Sequence, residues 1–316
     1  MDESRTARVI IGPTASGKAA LAVEIALMLG SDIISMDSMK VYRGLDIGTA
    51  KPSLRMRELV TFHQIDILDP VETYSVAAWV EDSLAVAERL RAEGKPVLFS
   101  GGTPLYYKGL TEGIFEGPAA DEEVRAELHR RAEREGVEAL HAELAEVDPA
   151  AASRILKNDL RRIVRALEVY RLTGKPISSF QRQFGRGREG WRFLVLGVLP
   201  ERSLCYERCD ARVDRMMKAG LLEEARGIFD RFYGRLGRGP RQAVGYKELF
   251  EHFLGRCSLE EAVEAIKRNT RRFARRQYMW FRKFENVRWV PLLKDDTTRD
   301  LLARAKKLFP AFFSAD

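Results

Sequence analysis

A glycine-bounded loop near the amino terminus constrains the fold of this chain more than any other feature. Its sequence, GPTASGKA beginning at Gly12, follows an apolar run at residues 9–11 and precedes a helical run at residues 20–29. Strand, loop and helix in this order predict a phosphate-binding loop, because glycines let N–H groups turn inward around an anion and the helix dipole adds positive charge. Lys18 supplies a mobile charge. The loop therefore predicts a bound phosphate or diphosphate; the alternative is a plain glycine turn between a core strand and a core helix.

One position of this loop departs from the usual pattern. Such loops place Ser or Thr after the lysine, where the hydroxyl binds Mg²⁺. This chain has Ala19, which offers the metal no oxygen. We therefore expect either that Mg²⁺ is held through water, the substrate and other side chains, with the Thr14 and Ser16 hydroxyls as candidates, or that activity is weakened.

Length and composition are those of a globular protein with a sizeable core. The chain has 316 residues, of which 45% are hydrophobic and 31% charged, and this suggests one large or two modest domains. No apolar stretch approaches the roughly 20 residues that cross a bilayer, and the first five residues lack the apolar core of a signal peptide. We expect a cytoplasmic protein without a membrane segment.

Charge and cysteine usage narrow the function further. The net charge of +7 points to a polyanionic partner, most simply nucleic acid. The three cysteines form no C-x-x-C pair, and the four histidines lack metal-ligand spacing. A disulfide framework and a zinc site are therefore not expected.

Polar residues follow two further apolar runs that read as buried strands. Asp37 and Ser38 follow residues 32–35, and Thr103 follows residues 97–100. Because the carboxyl ends of parallel strands meet at one edge of a sheet, these groups should lie beside the phosphate loop. A carboxylate beside an anion site implies group transfer from a phosphorylated donor. A small-molecule kinase would need the same parts, and spacing does not separate the two.

The middle of the chain has a different composition from its ends. Residues 121–173 are charged and helical and carry no strand signal, whereas an apolar run at residues 193–199 reads as another buried strand. We therefore predict a core in two parts, residues 1–118 and residues 191–316, with a helical insertion at residues 119–190.

A long helix is predicted at residues 258–284, with an aromatic face and a broad basic face. The aromatic face is predicted to hold Phe273, Gln277, Trp280, Phe281 and Phe284, and the basic face Arg268, Arg271, Arg275 and Arg282. Such an arginine row suits a nucleic-acid backbone, although a core helix with solvated arginines would show the same pattern.

Six motifs together resemble the tRNA dimethylallyltransferase (isopentenyltransferase) family. They are GPTASGKA from Gly12, DSMKVYRGLDIGTAKP from Asp37, SGGTPLYYKGL from Ser100, NDLRRIVRALEVYRLTGKPIS from Asn158, AVGYKEL from Ala243 and RRFARRQYMWFR from Arg271. The resemblance runs from about residue 9 to residue 284. It implies an α/β fold, a P-loop NTPase-like parallel sheet flanked by helices, with an all-helical insertion domain that closes on the anticodon stem-loop.

The resemblance also implies the reaction and the partners. A dimethylallyl group would pass from dimethylallyl diphosphate to the N6 amine of the adenosine just 3′ of the anticodon, in tRNAs that read codons beginning with U. The expected partners are the tRNA anticodon stem-loop and dimethylallyl diphosphate, the expected cofactor is Mg²⁺, and the chain is expected to be a monomer.

Roles carry over from the motifs residue by residue. Asp37 would be the general base, Thr103 would lie near the reacting groups, and Lys18 and Arg212 would hold the departing diphosphate. The residues implied to bind diphosphate are Gly12, Pro13, Thr14, Ala15, Ser16, Gly17, Lys18 and Ala19. The residues implied to bind tRNA are Asp37, Ser38, Met39, Lys40, Thr103, Arg125, Asp159, Leu160, Arg161, Arg162, Ile163, Gln242, Ala243, Val244, Gly245, Tyr246, Lys247, Arg271 and Arg275.

The chain departs from the family pattern at four positions. Ala19 replaces Ser or Thr, Lys40 stands where Gln is usual, Phe62 replaces the first His of a His-His pair, and Met279 stands where Thr is common. Lys40 keeps a hydrogen-bond donor but loses the acceptor, which would shift its contact with tRNA from base reading to charge.

Three other functions are weighed against tRNA prenylation. A transferase acting on free adenine nucleotides would not need so extended a basic surface. A small-molecule kinase is disfavoured by Ala19 and by the adenosine-site motifs. A catalytically weak tRNA-binding protein is supported by Ala19 alone.

Overall fold

The computed structural model describes residues 5–113, 117–180 and 187–314. The chain forms two compact units, one from Met1–Thr111 and Glu189–Asp316 and the other from Glu112–Arg188. The insertion predicted at residues 119–190 overlaps the second unit, which begins several positions earlier, at Glu112. Part of the glycine-rich loop at residues 185–190 lies outside the described residues.

The first unit is built on a six-stranded parallel sheet in the order β3-β2-β4-β1-β5-β6. Its strands are β1 (Arg5–Ile11), β2 (Ile33–Met36), β3 (Phe62–His63), β4 (Val97–Gly101), β5 (Trp191–Pro200) and β6 (Val287–Leu292). The central strands are apolar runs because helices cover both faces of a parallel sheet. Val9 pairs with Phe99 on one side and with Val195 on the other, and all three are buried. This sheet and its flanking helices confirm the predicted fold class.

Helices of the first unit flank this sheet. They are α1 (Lys18–Leu29), α2 (Leu54–Leu59), α3 (Val76–Ala92), α4 (Pro104–Glu112), α10 (Arg202–Lys218), α11 (Leu221–Phe232), α12 (Arg238–Gln242), α13 (Tyr246–Phe253), α14 (Leu259–Phe281) and α15 (Thr298–Leu308). Short 3₁₀ turns follow at Tyr233–Arg235 and Pro310–Phe312. Helix α1 ends at Gly30, whose φ of 64° is the left-handed conformation that closes many helices.

The second unit, as far as the structure describes it, contains helices and no strand. They are α5 (Glu122–Glu135), α6 (Val137–Val147), α7 (Pro149–Ala152), α8 (Leu160–Thr173) and α9 (Ile177–Phe180). Its small core includes Leu128, Leu140, Leu144 and Leu167, all at most 1% exposed. The composition of residues 121–173 therefore predicted the secondary structure of this unit correctly.

One buried charge in the central strand β1 is satisfied by the end of the chain. Arg8 is 1% exposed, although its neighbours in the strand are apolar. Its guanidinium donates to the backbone oxygens of Phe312 at 2.8 Å and Ser314 at 2.6 Å. These bonds compensate the cost of burying the charge and hold the C-terminal turn against the sheet.

A partly buried carboxylate, Glu224, holds the loop that follows β2. Glu224 accepts hydrogen bonds from the backbone N–H groups of Asp46, Ile47 and Gly48 at 3.0, 2.8 and 3.0 Å. The Tyr246 hydroxyl donates to the same carboxylate at 2.5 Å. The segment at residues 41–52 is thus held in place by side chains of α11 and α13.

Helix α14 does not bury the face that the sequence predicted. Phe273 is 39% exposed and Trp280 is 36% exposed, whereas Gln277 and Phe281 are buried. The helix packs against α10 and α13, and its buried line includes the small residue Ala274. Because small side chains allow close approach, the larger rings are displaced to the edges of the contact, and the predicted aromatic face is wrong at these two positions.

Candidate active site

The phosphate loop has the backbone conformation that its glycines predict. Gly17 has a φ of 81° and precedes Lys18, the first residue of α1. Ala15 also has a positive φ, 62°, which is uncommon for a residue with a side chain. A Cβ on Gly12 would lie 2.6 Å from the backbone oxygen of Val198, so β5 passes too close for any other residue. The Lys18 ammonium donates to the backbone oxygen of Pro13 at 3.1 Å.

Gln277 connects this loop to the end of β4, a role that the sequence did not predict. Its side-chain oxygen accepts from the Thr14 N–H at 2.8 Å, and its side-chain nitrogen donates to the Gly102 oxygen at 2.5 Å. A Cβ on Gly102 would lie 2.7 Å from that nitrogen. The available signal was a polar residue among the buried positions of α14, which we assigned to an aromatic face instead.

Helix α10 supports the other side of the loop. Arg208 donates to the Ala15 oxygen at 2.9 Å, and the Cys205 thiol lies 3.8 Å from the Thr14 oxygen. Cys205 and Cys209 are buried free thiols, as predicted. The loop is therefore held in its strained conformation by contacts from two helices, α10 and α14.

Asp37 and Thr103 meet at the carboxyl edge of the sheet, as the strand-end argument predicted. One carboxylate oxygen of Asp37 accepts from the N–H groups of Met39 at 2.9 Å and Lys40 at 3.4 Å. The other oxygen has no hydrogen-bond partner among the described residues. The Thr103 hydroxyl oxygen accepts from the Ser38 N–H at 3.2 Å, which leaves its own hydrogen available for a ligand.

The site concentrates positive charge. Burial lowers the pKa of Lys18 to about 7, the charges of Lys40 and Arg212 act in the same direction, and Asp37 opposes them. Burial also lowers the pKa of Lys40 and of Arg212, while the Asp37 charge raises each of them. Across the described part of the chain, neither the Lys40 ammonium nor the Arg212 guanidinium has a hydrogen-bond or ion-pair partner. Cations gathered without partners favour binding of a multivalent anion.

The side chains present do not fit an inner-shell Mg²⁺ site. Ala19 has no oxygen to give, and the residues that the structure describes contain no group of three or more His, Cys, Asp or Glu side chains that could hold a metal. The Ser16 hydroxyl is buried without a hydrogen-bond partner, so one oxygen in the loop is available. One hydroxyl among three cations suits a diphosphate better than a bare divalent cation.

Comparison with known proteins decides the family. Residues 40–284 match the family model described as IPP transferase, and residues 5–65 match one described as isopentenyl transferase. The chain belongs to the IPP transferase family.

Relatives match along nearly the whole length of this family member. A protein of Geobacter metallireducens named tRNA dimethylallyltransferase is 46% identical over 290 residues, which are 92% of this chain and 94% of the relative. A tRNA dimethylallyltransferase of Thermomicrobium roseum is 40% identical over 309 residues, or 97% of this chain and 92% of the relative. These matches confirm the resemblance drawn from the motifs.

Solved structures of the family share the fold. The tRNA isopentenylpyrophosphate transferase of Bacillus halodurans superposes with a TM-score of 0.71 at 36% identity, covering 98% of this chain and 97% of that one. A eukaryotic dimethylallyltransferase acting on tRNA gives a TM-score of 0.76 at 25% identity, covering 91% of this chain and 74% of that one.

In the first unit, the side chains predicted to bind tRNA differ in their accessibility. Arg275 and Gln242 are exposed, and Ser38, Met39, Lys40, Val244 and Lys247 are half-buried. Arg271 is held in an ion pair with Asp210 at 2.5 Å.

Three of the residues that the AVGYKEL motif predicted to bind tRNA lie inside the protein. Ala243, Gly245 and Tyr246 are buried, and Tyr246 donates to Glu224. The buried side chains of Ala243 and Tyr246 therefore support the loop at residues 41–52, and contact of this segment with tRNA stays a prediction.

In the helical unit, the predicted tRNA residues cluster at the start of α8. Arg161 and Arg162 are exposed, Asp159 caps the helix by accepting from the Arg162 N–H at 3.2 Å, and Leu160 is half-buried. Ile163 is fully buried in the core of the unit, so its side chain packs inside the protein, and its contact with tRNA stays a prediction.

Arg125 belongs to a buried ionic cluster within the same unit. It contacts the carboxylate of Glu168 at 2.9 Å, and Arg165 contacts that carboxylate at 2.6 Å. Burial opposes ionisation of Glu168, but hydrogen bonds from Arg165, the Asp121 N–H and Arg125 lower its pKa. Arg125 therefore has a structural role here, whether or not it also meets a substrate.

Within the part of the chain that the structure describes, no helix combines the length and apolar character that crossing a membrane requires.

Proposed function

We propose that this chain transfers a dimethylallyl group from dimethylallyl diphosphate to the exocyclic N6 amine of an adenosine in tRNA. The target would be the adenosine 3′-adjacent to the anticodon in tRNAs that read codons beginning with U. The observation that carries the proposal is one sheet edge where Asp37 lies among a phosphate loop and the charges of Lys40 and Arg212, which have no hydrogen-bond or ion-pair partner among the described residues. Relatives of matching length bear the name of this activity.

The cations would bind and stabilise the diphosphate. The loop N–H groups, Lys18 and Arg212 are positioned to hold it, and their charges offset the charge that develops on the leaving oxygen. Burial is the largest cause of the lowered pKa of Lys18, and repulsion by Lys40 and Arg212 adds to it; binding of the anion would relieve that repulsion.

The carboxylate would take the proton released by the attack. The N6 lone pair attacks the first carbon of the dimethylallyl group, the carbon–oxygen bond breaks, and its electron pair leaves with the diphosphate. The N6 proton passes to the oxygen of Asp37 that accepts no hydrogen bond from the residues that the structure describes. Asp37 is fixed by its other oxygen, which accepts from Met39 and Lys40, so the base is oriented before the substrate arrives.

The competing functions have less support. A kinase would need protein ligands for its metal, which Ala19 and the surrounding cations do not supply. A transferase acting on free nucleotides would have no use for the exposed Arg161, Arg162 and Arg275. Mg²⁺ remains a proposed cofactor that arrives bound to the diphosphate oxygens; a monomeric state and a cytoplasmic location remain predictions.

A turnover assay tests the proposal. Labelled dimethylallyl diphosphate is offered with unmodified tRNA, with AMP and with ATP in separate reactions, and labelled product is counted. We expect incorporation into tRNA only. Incorporation into AMP or ATP at equal efficiency would favour the free-nucleotide transferase, and tRNA binding without turnover would favour a binding protein.

A further inference from the structure

A cleft beside the phosphate loop brings two unusual residues together. Ala19, at the start of α1, and Lys40, after β2, both line it. Ser35 and Ser100 line the same cleft from the neighbouring strands β2 and β4. Ala19, which lacks a metal-binding hydroxyl, and Lys40 therefore face the same cleft.

The backbone of Lys40 is fixed on both sides. Its N–H points at the Asp37 carboxylate at 3.4 Å, and its carbonyl oxygen accepts from the Asp66 N–H at 3.1 Å. The side chain thus extends from an anchored turn, and its ammonium finds no hydrogen-bond or ion-pair partner in the described ranges 5–113, 117–180 and 187–314.

Its charge acts on the phosphate loop. After burial, the Lys40 charge is the largest cause of the lowered pKa of Lys18, ahead of Arg212. Two lysines that repel each other in a partly buried site carry a cost, which an anion placed between them removes. A solvated surface lysine, the alternative, would not perturb Lys18 in this way.

We propose that Lys40 is a diphosphate-binding residue, which lines the same cleft as Ala19 and whose ammonium supplies the positive charge that a hydroxyl at position 19 would recruit as Mg²⁺. This replaces the expectation that Lys40 contacts tRNA. The proposal rests on the proposed function only in naming diphosphate as the leaving group. In the reaction, Lys40 would stabilise charge on the diphosphate as the carbon–oxygen bond breaks, without itself gaining or losing a proton.

Binding of inorganic diphosphate in EDTA tests this without requiring turnover. Isothermal titration calorimetry compares the unchanged protein with Lys40→Gln and with the control Lys95→Gln, whose residue lies just before β4, at the opposite edge of the sheet. We expect Lys40→Gln to weaken binding by about 10- to 100-fold, the usual worth of a charged hydrogen bond, with no change for the control. Unchanged affinity of Lys40→Gln, or no binding by the unchanged protein in EDTA, would overturn the proposal.

A double variant adds a second readout. Ala19→Thr in the Lys40→Gln background should regain diphosphate affinity when Mg²⁺ is added, whereas Lys40→Gln alone should regain less. Affinity for tRNA without donor should stay within about twofold for both, because the proposal places the Lys40 ammonium on the donor diphosphate and not on an RNA phosphate. A large loss of tRNA affinity together with intact diphosphate binding would show that Lys40 contacts RNA.

This assignment and the proposed function can fail separately. If tRNA is not prenylated but diphosphate binding still depends on Lys40, the proposed function fails and the assignment of Lys40 stands.

Discussion

One carboxylate oxygen of Asp37 accepts hydrogen bonds from two backbone N–H groups, and the other has no partner within the described part of the chain. Asp37→Asn keeps the size of the side chain and an acceptor for those bonds but removes the base. We expect it to lower the single-turnover rate by about 10²- to 10⁴-fold, the usual contribution of a positioned base. Filter binding should show tRNA affinity within a few-fold of the unchanged protein. A variant that keeps most of its rate would remove Asp37 from the mechanism.

Ala19 lies exposed at the start of α1, so a larger side chain fits there. Ala19→Thr restores a hydroxyl that can bind Mg²⁺ directly. We expect it to lower the Mg²⁺ concentration that gives half the maximal single-turnover rate, with tRNA binding unchanged. If the two Mg²⁺ titrations overlap, the missing hydroxyl has no catalytic consequence, because the protein cations already neutralise the leaving group.

Lys18 has its pKa lowered from 10.5 to about 7 in the free protein. The unfolded state therefore binds more protons between these values, and this group makes the free protein more stable as the pH rises through that range. A bound diphosphate raises the pKa again, so binding at pH 8 should take up a proton and binding at pH 6 should take up less. Calorimetry in buffers of different ionisation heat measures the uptake. Equal uptake in Lys18→Met would contradict the assignment.

For single residues, the sequence predicted the functional positions that follow the end of a strand. It did not predict positions that depend on contacts between residues far apart in the sequence. Asp37 and Thr103 follow apolar runs, and parallel strands bring such positions together. Gln277 accepts a hydrogen bond from Thr14, which lies 263 positions away in the sequence, and no local sequence pattern predicts such a contact. Tyr246 belongs to a conspicuous motif, yet it is buried because it supports a loop.

Among the elements, α14 combines a buried line with a partly exposed basic side. Its periodicity predicted a helix, but the identity of the packing face depended on which partner helix approached, and that information is not local. Arg271 faces Asp210 on α10, whereas Arg275 is exposed. The arginines on the basic side of α14 therefore differ in how available they are to a partner.

Arg275→Glu should weaken the binding of all tRNAs by a similar factor and flatten the dependence of affinity on salt concentration. Arg299→Glu, on the exposed side of α15, makes the same change in net charge and is the matched control. We expect the control to have a smaller effect on both quantities. Equal effects of the two variants would show that net charge, and not the α14 surface, governs binding.

For the molecule as a whole, the two-part core around a helical unit followed from composition, because strands and helices have different hydrophobic periods. Family membership came from motifs spread along most of the chain. Only the structure shows where the positive charge of the chain lies: part of it is at the phosphate site, and part is on exposed arginines of both units. The arrangement supports a phosphorylated donor and a polyanionic acceptor.

The most direct test of this account maps the product. Labelled dimethylallyl diphosphate is supplied with an anticodon stem-loop that reads a codon beginning with U, and with a matched stem-loop carrying guanosine in place of the adenosine 3′ of the anticodon. Nuclease digestion and mass spectrometry of the nucleosides locate the group. We predict N6-(dimethylallyl)adenosine from the first RNA and no product from the second. Product of equal yield from both, or none from either while the protein binds donor and RNA, would contradict the proposed function.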